Sequence, residues 1–237
     1  MKVKSVALSL SGGLDSAVLL HLLSSQGIYE NIHCVHFRYN TKSNVFEFEA
    51  FKKLVENIKQ VSASKINSVV IDLSNIFSQF PSNSTSLFIN SSEQIPEETA
   101  HSYENIKNTM IPGRNTIFIS VLLGYAESLG INTIALGAHE GKKDIVHIDQ
   151  RKVYIKRFKK LISTVSDGNI KLICPLLNME KSKIIALGWE LGVPFQFTRT
   201  CYQETPLSCG KCSTCLTRKN TFIKLGLIDP LQYMPEE

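Results

Sequence analysis

Apolar positions along the chain fall into short continuous runs separated by longer amphipathic stretches. Residues 5–10 are a short, mostly apolar run ending at paired glycines, and residues 17–23 are apolar again before Gly27. Together they predict a buried strand, a tight turn and a helix packed onto that strand. A second strand is predicted over 32–37. Phe51, Leu54, Val55, Ile58 and Val61 then recur at helical spacing, and 68–73 is a third, β-branched run. Further on, Ile117, Phe118, Val121, Leu122 and Tyr125 mark one side of a helix over 115–128. Two more strands are predicted over 133–137 and 171–174, and a last helix over 181–191 stops at Gly192 and Pro194. Strands separated by helices of this length need right-handed crossovers, so the expected fold is α/β, a parallel sheet with helices on both faces.

Two segments break the alternation. Residues 74–113 are rich in Ser, Asn, Glu and Gln with little apolar period. About forty residues is too long for a plain connection, so a partly ordered excursion over one end of the sheet is expected there. After Pro194 the alternation ends. The expected organisation is an α/β domain over 1–194 and a C-terminal segment over 195–237.

Composition excludes disorder and fibrous repeats: of 237 residues, 43% are hydrophobic and 20% charged. Neither an apolar leader nor a run long enough to span a membrane is present, so a cytoplasmic protein is expected. Twenty-six Lys and Arg against 21 Asp and Glu leave a net charge of +5, a mild bias that suits an anionic ligand.

The chemistry is concentrated in two places. The first is the turn Ser11-Gly12-Gly13-Leu14-Asp15-Ser16, between the first strand and its helix. Paired glycines let backbone amides face an anion, and the helix N-terminus adds free N–H groups and partial positive charge. Neither Gly-x-x-x-x-Gly-Lys-Ser/Thr nor Gly-x-Gly-x-x-Gly is present. The second is the set Cys201, Cys209, Cys212 and Cys215, whose overlapping Cys-x-x-Cys steps read as metal thiolates in a reducing compartment. Four thiolates with no open position suit structural Zn²⁺, and an iron–sulfur cluster is the competing reading. Cys34 and Cys174 fall in predicted strands and read as core residues.

The Ser-Gly-Gly-Leu-Asp-Ser turn resembles the signature of the PP-loop ATP pyrophosphatases, which cleave ATP between the α and β phosphates and activate a carbonyl or carboxylate as its adenylate. Residues 111–118, Ile-Pro-Gly-Arg-Asn-Thr-Ile-Phe, look like the Pro-x-Arg-Asn-x-x-Phe segment of the QueC-type 7-cyano-7-deazaguanine synthases, and the cysteine segment resembles their zinc segment. The resemblance covers nearly the whole chain. It implies a Rossmann-like sheet of the adenine nucleotide α-hydrolase type, with ATP, Mg²⁺ and Zn²⁺ as cofactors. It further implies an ATP site at Leu10, Ser11, Gly12, Gly13, Leu14, Asp15, Ser16, Arg114 and Asn115, with Asp15, Ser16 and Arg114 catalytic. Zn²⁺ would be held by Cys201, Cys209, Cys212 and Cys215, and the assembly would be a homodimer.

The departures from that family lie around the acceptor. Where the family has Asp-Tyr-Gly-Gln, this chain has Arg38-Tyr39-Asn40-Thr41; of a later Gly-x-His loop it keeps Gly137-Ala138-His139 and, further on, Asp149-Gln150-Arg151. Tyr39, His139, Asp149 and Arg151 are therefore the expected substrate residues. A basic stretch from Lys142 to Lys160 replaces the rest of that loop. The implied reaction is ATP-dependent conversion of the carboxylate of 7-carboxy-7-deazaguanine to an amide or nitrile. One alternative is conjugation of the deazaguanine to an amine of an acidic protein or nucleic acid, as in a phage-defence or DNA-modification system; another is a tRNA-modifying PP-loop enzyme.

Overall fold

The computed structural model describes residues 4–96, 107–140 and 147–235. Five parallel strands, β1 (Ser5–Ser9), β2 (Asn31–Arg38), β3 (Lys65–Asp72), β4 (Thr133–Ala135) and β5 (Lys171–Ile173), form one sheet in the order β3-β2-β1-β4-β5. The described helices are α1 (Leu14–Ser25), α2 (Asn44–Val61), α3 (Ser74–Phe77), α4 (Arg114–Ser128), α5 (Lys152–Val165), α6 (Lys181–Glu190) and α7 (Ser213–Lys224). None of them is long and apolar enough to cross a membrane.

The period of two along β1 divides the core. Val6 and Leu8 join one apolar layer with α1, α2 and α6, while Ala7 joins the layer on the other face with Phe118, Ile119 and Leu122 of α4. Helix α1 is buried nearly all round, from Ala17 to Leu20 and at Leu23, so it shows no amphipathic stripe. It packs against α6 at Gly188, where an added Cβ would lie 2.6 Å from both Val18 Cγ2 and Phe195 Cζ.

Residues that show no apolar period nevertheless carry core. Phe77, Leu87, Phe88, Ile95 and Ile111 are buried in the α4 layer. They occur singly among polar residues, and the segment is held by backbone bonds such as Ser86 N–H to Asn108 O, 2.8 Å. The rest of the excursion, 97–106, lies outside the described residues. Strand β3 begins three residues earlier than expected, because at the edge of the sheet it tolerates polar Lys65 and Asn67 ahead of the apolar run. The basic stretch becomes helix α5, with Ile155 and Ile162 buried and Lys156, Arg157, Lys159 and Lys160 exposed. Lys142 and Lys143 lie outside the described residues.

Helix α7, which the sequence reading does not anticipate, is tied to the α/β body by Arg218. Only 1% exposed, this guanidinium donates to both oxygens of Asp229 at 2.8 and 2.9 Å, to Thr198 Oγ1 at 2.6 Å and to Phe195 O at 3.0 Å. Such a pair withstands burial because its donors are matched by acceptors.

His36, 1% exposed and stacked on Phe51, donates from Nδ1 to Leu10 O at 3.0 Å, while its Nε2 is buried and unpartnered. Burial pushes its pKa from 6.5 down to about 4.

Two outcomes are expected. Gly188→Ala should destabilise the fold by about 1–3 kcal/mol through overpacking between α1 and α6, measured by denaturant unfolding; an unchanged midpoint would show that the contact relaxes freely. The unfolded chain should also bind more protons than the folded one between pH 6.5 and 4, so stability falls as the pH drops through that window. His36 alone should contribute roughly 1 kcal/mol of loss between pH 7 and 5.5. An NMR titration should find its ring still neutral at pH 5.5.

Candidate active site

The strand order reverses direction between β1 and β4, because the chain leaves β1 toward β2 and β3 and returns on its other side. In open α/β sheets, that reversal opens a crevice beyond the carboxyl ends of the strands. A cavity of about 670 Å³ lies there, with Ser9, Ser11, Gly13, Asp15 and Ser16 among its lining residues. Its size suits a nucleotide with a second small ligand.

Leu10 links β1 to the loop but faces away from the cavity. Its side chain is fully buried in the core, its N–H donates to Val35 O and its carbonyl accepts from His36. The loop that follows is internally tied: Ser16 Oγ donates to Gly13 O at 2.9 Å and lies 3.1 Å from Ser11 Oγ, which accepts from Gly13 N–H at 3.2 Å. Gly12 has φ of +88°, and a Cβ there would stand 2.4 Å from Glu47 O. No other residue type fits that position without moving α2.

Asp15, in the first turn of α1, meets Lys181, the first residue of α6. Lys181 Nζ donates to Oδ1 at 2.6 Å and to Oδ2 at 2.8 Å. His139 approaches from the loop after β4, its Nε2 3.6 Å from Asp15 Oδ2. That loop lies close because Gly137 has no side chain: a Cβ would sit 3.2 Å from Ser16 N and Cα. Burial alone would raise the Asp15 pKa, but Lys181 and then His139 outweigh it and hold the carboxyl below its ordinary range. Burial and Lys181 push His139 down to about 4, so its ring is neutral at pH 7, with Nδ1 buried and unpartnered.

A second cluster lines another part of the cavity. Arg114 opens α4 behind Gly113, whose φ of +63° ends the preceding turn. Burial would lower the Arg114 pKa, but the neighbouring Tyr39, Asp149, Tyr202 and Glu47 raise it. Glu47, on the first turn of α2, accepts from Ser43 Oγ at 2.7 Å through Oε1, while Oε2 is buried without a partner. Burial raises its pKa, against the opposing effects of Ser43, Arg114 and Arg199. Asn115 donates from Nδ2 to Asp149 O at 3.3 Å. His147, beside Arg114 and Asp149, is pushed down to about 4 by burial first and Arg114 second.

Of the expected substrate residues, Tyr39 and His139 line the cavity, in different clusters. Asp149 acts on it through Arg114 and Asn115, and Arg151 caps α5 outside the lining. Lys181, Glu47, Tyr202, His147 and Arg199 also line it, although nothing in the sequence reading singles them out. One signal was available: a lysine at a helix N-terminus opposes the helix dipole and calls for an anionic partner.

The four clustered cysteines converge, their sulfurs all within 4.8 Å of one another, next in the chain to the lining residues Thr200, Tyr202, Ser213 and Thr214. Cys201 Sγ accepts from the N–H groups of Gln203 and Cys209 at 3.4 and 3.3 Å, and Cys209 Sγ accepts from Cys212 N–H at 3.3 Å. Backbone donors aimed at sulfur are what metal-bound thiolates require, so the group fits a metal ion.

The family model described as "Queuosine biosynthesis protein QueC" matches residues 4–226. A 7-cyano-7-deazaguanine synthase of Rickettsia bellii (strain OSU 85-389) is 33% identical, covering 98% of this chain and 99% of its own. Another of that name from Caldicellulosiruptor saccharolyticus is 34% identical over 94% of this chain and 93% of its own. Similarity that runs from one end to the other of both chains, together with a family model spanning sheet, cavity and cysteine cluster, establishes that this chain belongs to the QueC family.

Proposed function

We propose that the chain is a ligase that adenylates the carboxylate of 7-carboxy-7-deazaguanine at the expense of ATP, releasing pyrophosphate, and passes the acyl group to ammonia with loss of AMP to give the amide; a second ATP would adenylate the amide oxygen, which then departs as AMP to leave the nitrile. The observation that carries this reading is the loop of residues 11–16 at the β1/β4 crevice, with Asp15 and Lys181 paired at its mouth. ATP would supply the leaving group; the Mg²⁺ that accompanies it would meet Asp15 once Lys181 has turned to a phosphate oxygen. The Ser11 hydroxyl and the α1 N-terminus offer donors where phosphate charge accumulates, and the Gly13 N–H and Ser16 hydroxyl would join them by exchanging their bonds within the loop. Lys181 adds a cation free to turn from Asp15 to a phosphate oxygen. Asp15 presents that ammonium at the mouth of the loop.

A thiol-dependent tRNA reaction has less support. Four cysteines are gathered in one metal-type group, and burial pushes the Cys34 and Cys174 thiols up to about 12 and about 11, which leaves no reactive thiol by the cavity. The basic face of α5 adds nothing specific for a macromolecular acceptor, because an amphipathic surface helix with Ile155 and Ile162 inward exposes such a face anyway. We assign Zn²⁺ to the four cysteines in a structural role, since all four positions are protein ligands.

With ATP and 7-carboxy-7-deazaguanine, the protein should release AMP and pyrophosphate; ADP and phosphate as sole products would rule out adenylation. Asp15→Asn and Lys181→Ala should each lower kcat by about 10²–10³-fold while the protein remains folded. Normal turnover in either variant would remove the pair from the chemistry.

Elemental analysis should find one zinc per chain. Cys215→Ser should lose it and lower the melting temperature before any specific effect on chemistry, because metal binding is coupled to folding. Iron in the purified protein, or a stable fold free of metal, would overturn the assignment.

A further inference from the structure

Glu47 is a titratable group at the cavity that the adenylation chemistry leaves without a task. Its Oε1 is satisfied by Ser43, yet Oε2 has no partner, in a side chain that lines the cavity. An acceptor shut away from water without a donor is costly, and a ligand that brings one removes the cost. Two features narrow that ligand. Arg114 and Arg199 both act electrostatically on Glu47, so a metal ion there would face two guanidinium charges. Tyr39 and Tyr202 line the same cavity and share this electrostatic neighbourhood, so aromatic side chains stand beside the carboxylate. What fits beside an acceptor-only carboxylate flanked by aromatic side chains is a planar heterocycle with N–H donors on its edge.

We propose that Glu47 reads the base: its carboxylate accepts the ring N1–H and the exocyclic 2-amine of a 7-deazaguanine. This deepens the ligase reading above and rests on it. The two donors lie side by side on the pyrimidine edge of the ring, remote from the carboxylate at position 7, so recognition at Glu47 leaves the reacting group free to point toward the phosphate loop. The two arginines favour the ionised form of Glu47 and oppose the effect of burial. A base lacking the 2-amine, or carrying an acceptor in place of N1–H, would leave the carboxylate unpaired again and be rejected.

The test is calorimetric titration of the full chain with ATP, with 7-carboxy-7-deazaguanine and with its analogue lacking the 2-amine. Wild type should bind the deazaguanine at least about 10-fold more tightly than the analogue, as expected for a lost bidentate contact. Glu47→Gln should weaken deazaguanine binding by a similar factor, shrink the discrimination between the two bases and leave ATP affinity within about 3-fold. Equal binding of the two bases by wild type overturns the proposal without need of any variant. So does a Glu47→Gln protein that loses ATP affinity but keeps base affinity, which would place Glu47 on the ribose instead. If wild type binds ATP but neither base, the ligase reading itself falls, and this assignment with it.

Discussion

The approach of α2 and the C-terminal segment to the backbone of Gly12 is the constraint on which the site depends. On one side Glu47 O stands where a side chain on residue 12 would be; on the other, Arg199 N–H donates to Gly12 O at 2.8 Å. The loop is thus clamped between an element that follows β2 and one that lies beyond the last strand. Its backbone is fixed at Gly12 before any ligand arrives, so part of the ordering cost is met on folding rather than on binding. The same clamp carries Glu47 and Arg199 into the cavity, because each belongs to a segment that touches Gly12.

Seen from that contact, the cysteine cluster contributes to the site by bracing it. Thr200 and Tyr202 flank Cys201, and Thr214 Oγ1 donates to Thr200 O at 2.9 Å. Arg218, one turn along α7, locks the same stretch through Thr198 and Asp229. A metal that fixes Cys201 therefore fixes the backbone on both sides of it, including the stretch from Arg199 to Tyr202 that walls the cavity. Loss of such a metal would disturb the loop through Arg199 without touching the reacting atoms.

How much of this the sequence discloses follows from what pattern can encode. Buried parallel strands and amphipathic helices carry their period in every residue, so the sheet and the helices on its two faces were legible, as were the glycine turn between β1 and α1 and the cysteine spacing. The excursion was not, because Phe77, Leu87, Phe88 and Ile95 enter the core one at a time from irregular backbone. Helix α7 was hidden by its polar composition; of its residues, Cys215, Arg218 and Phe222 are buried, and only Phe222 reads as apolar core. Lys181 and Glu47 sit at ordinary places near helix starts. Their importance comes from partners 166 residues away in one case and from a missing partner in the other, and neither fact is local in sequence.

The ionisation of the site bears on the kind of catalysis it can perform. His139 and His147 are both held neutral, with pKa values near 4, which makes them weak bases at pH 7. Asp15 is occupied by Lys181, and the two described clusters contain no thiol. Apart from Glu47, assigned above to the base, the groups of these clusters are poorly equipped to remove a proton from a nucleophile but well equipped to hold one in place against fixed charge. A carboxylate attacking a phosphorus atom is already ionised and needs no base, whereas a hydroxyl nucleophile would. In the proposed reaction, positioning and leaving-group stabilisation therefore carry the first step. Protons released on amine capture must then leave through groups or solvent outside these two clusters.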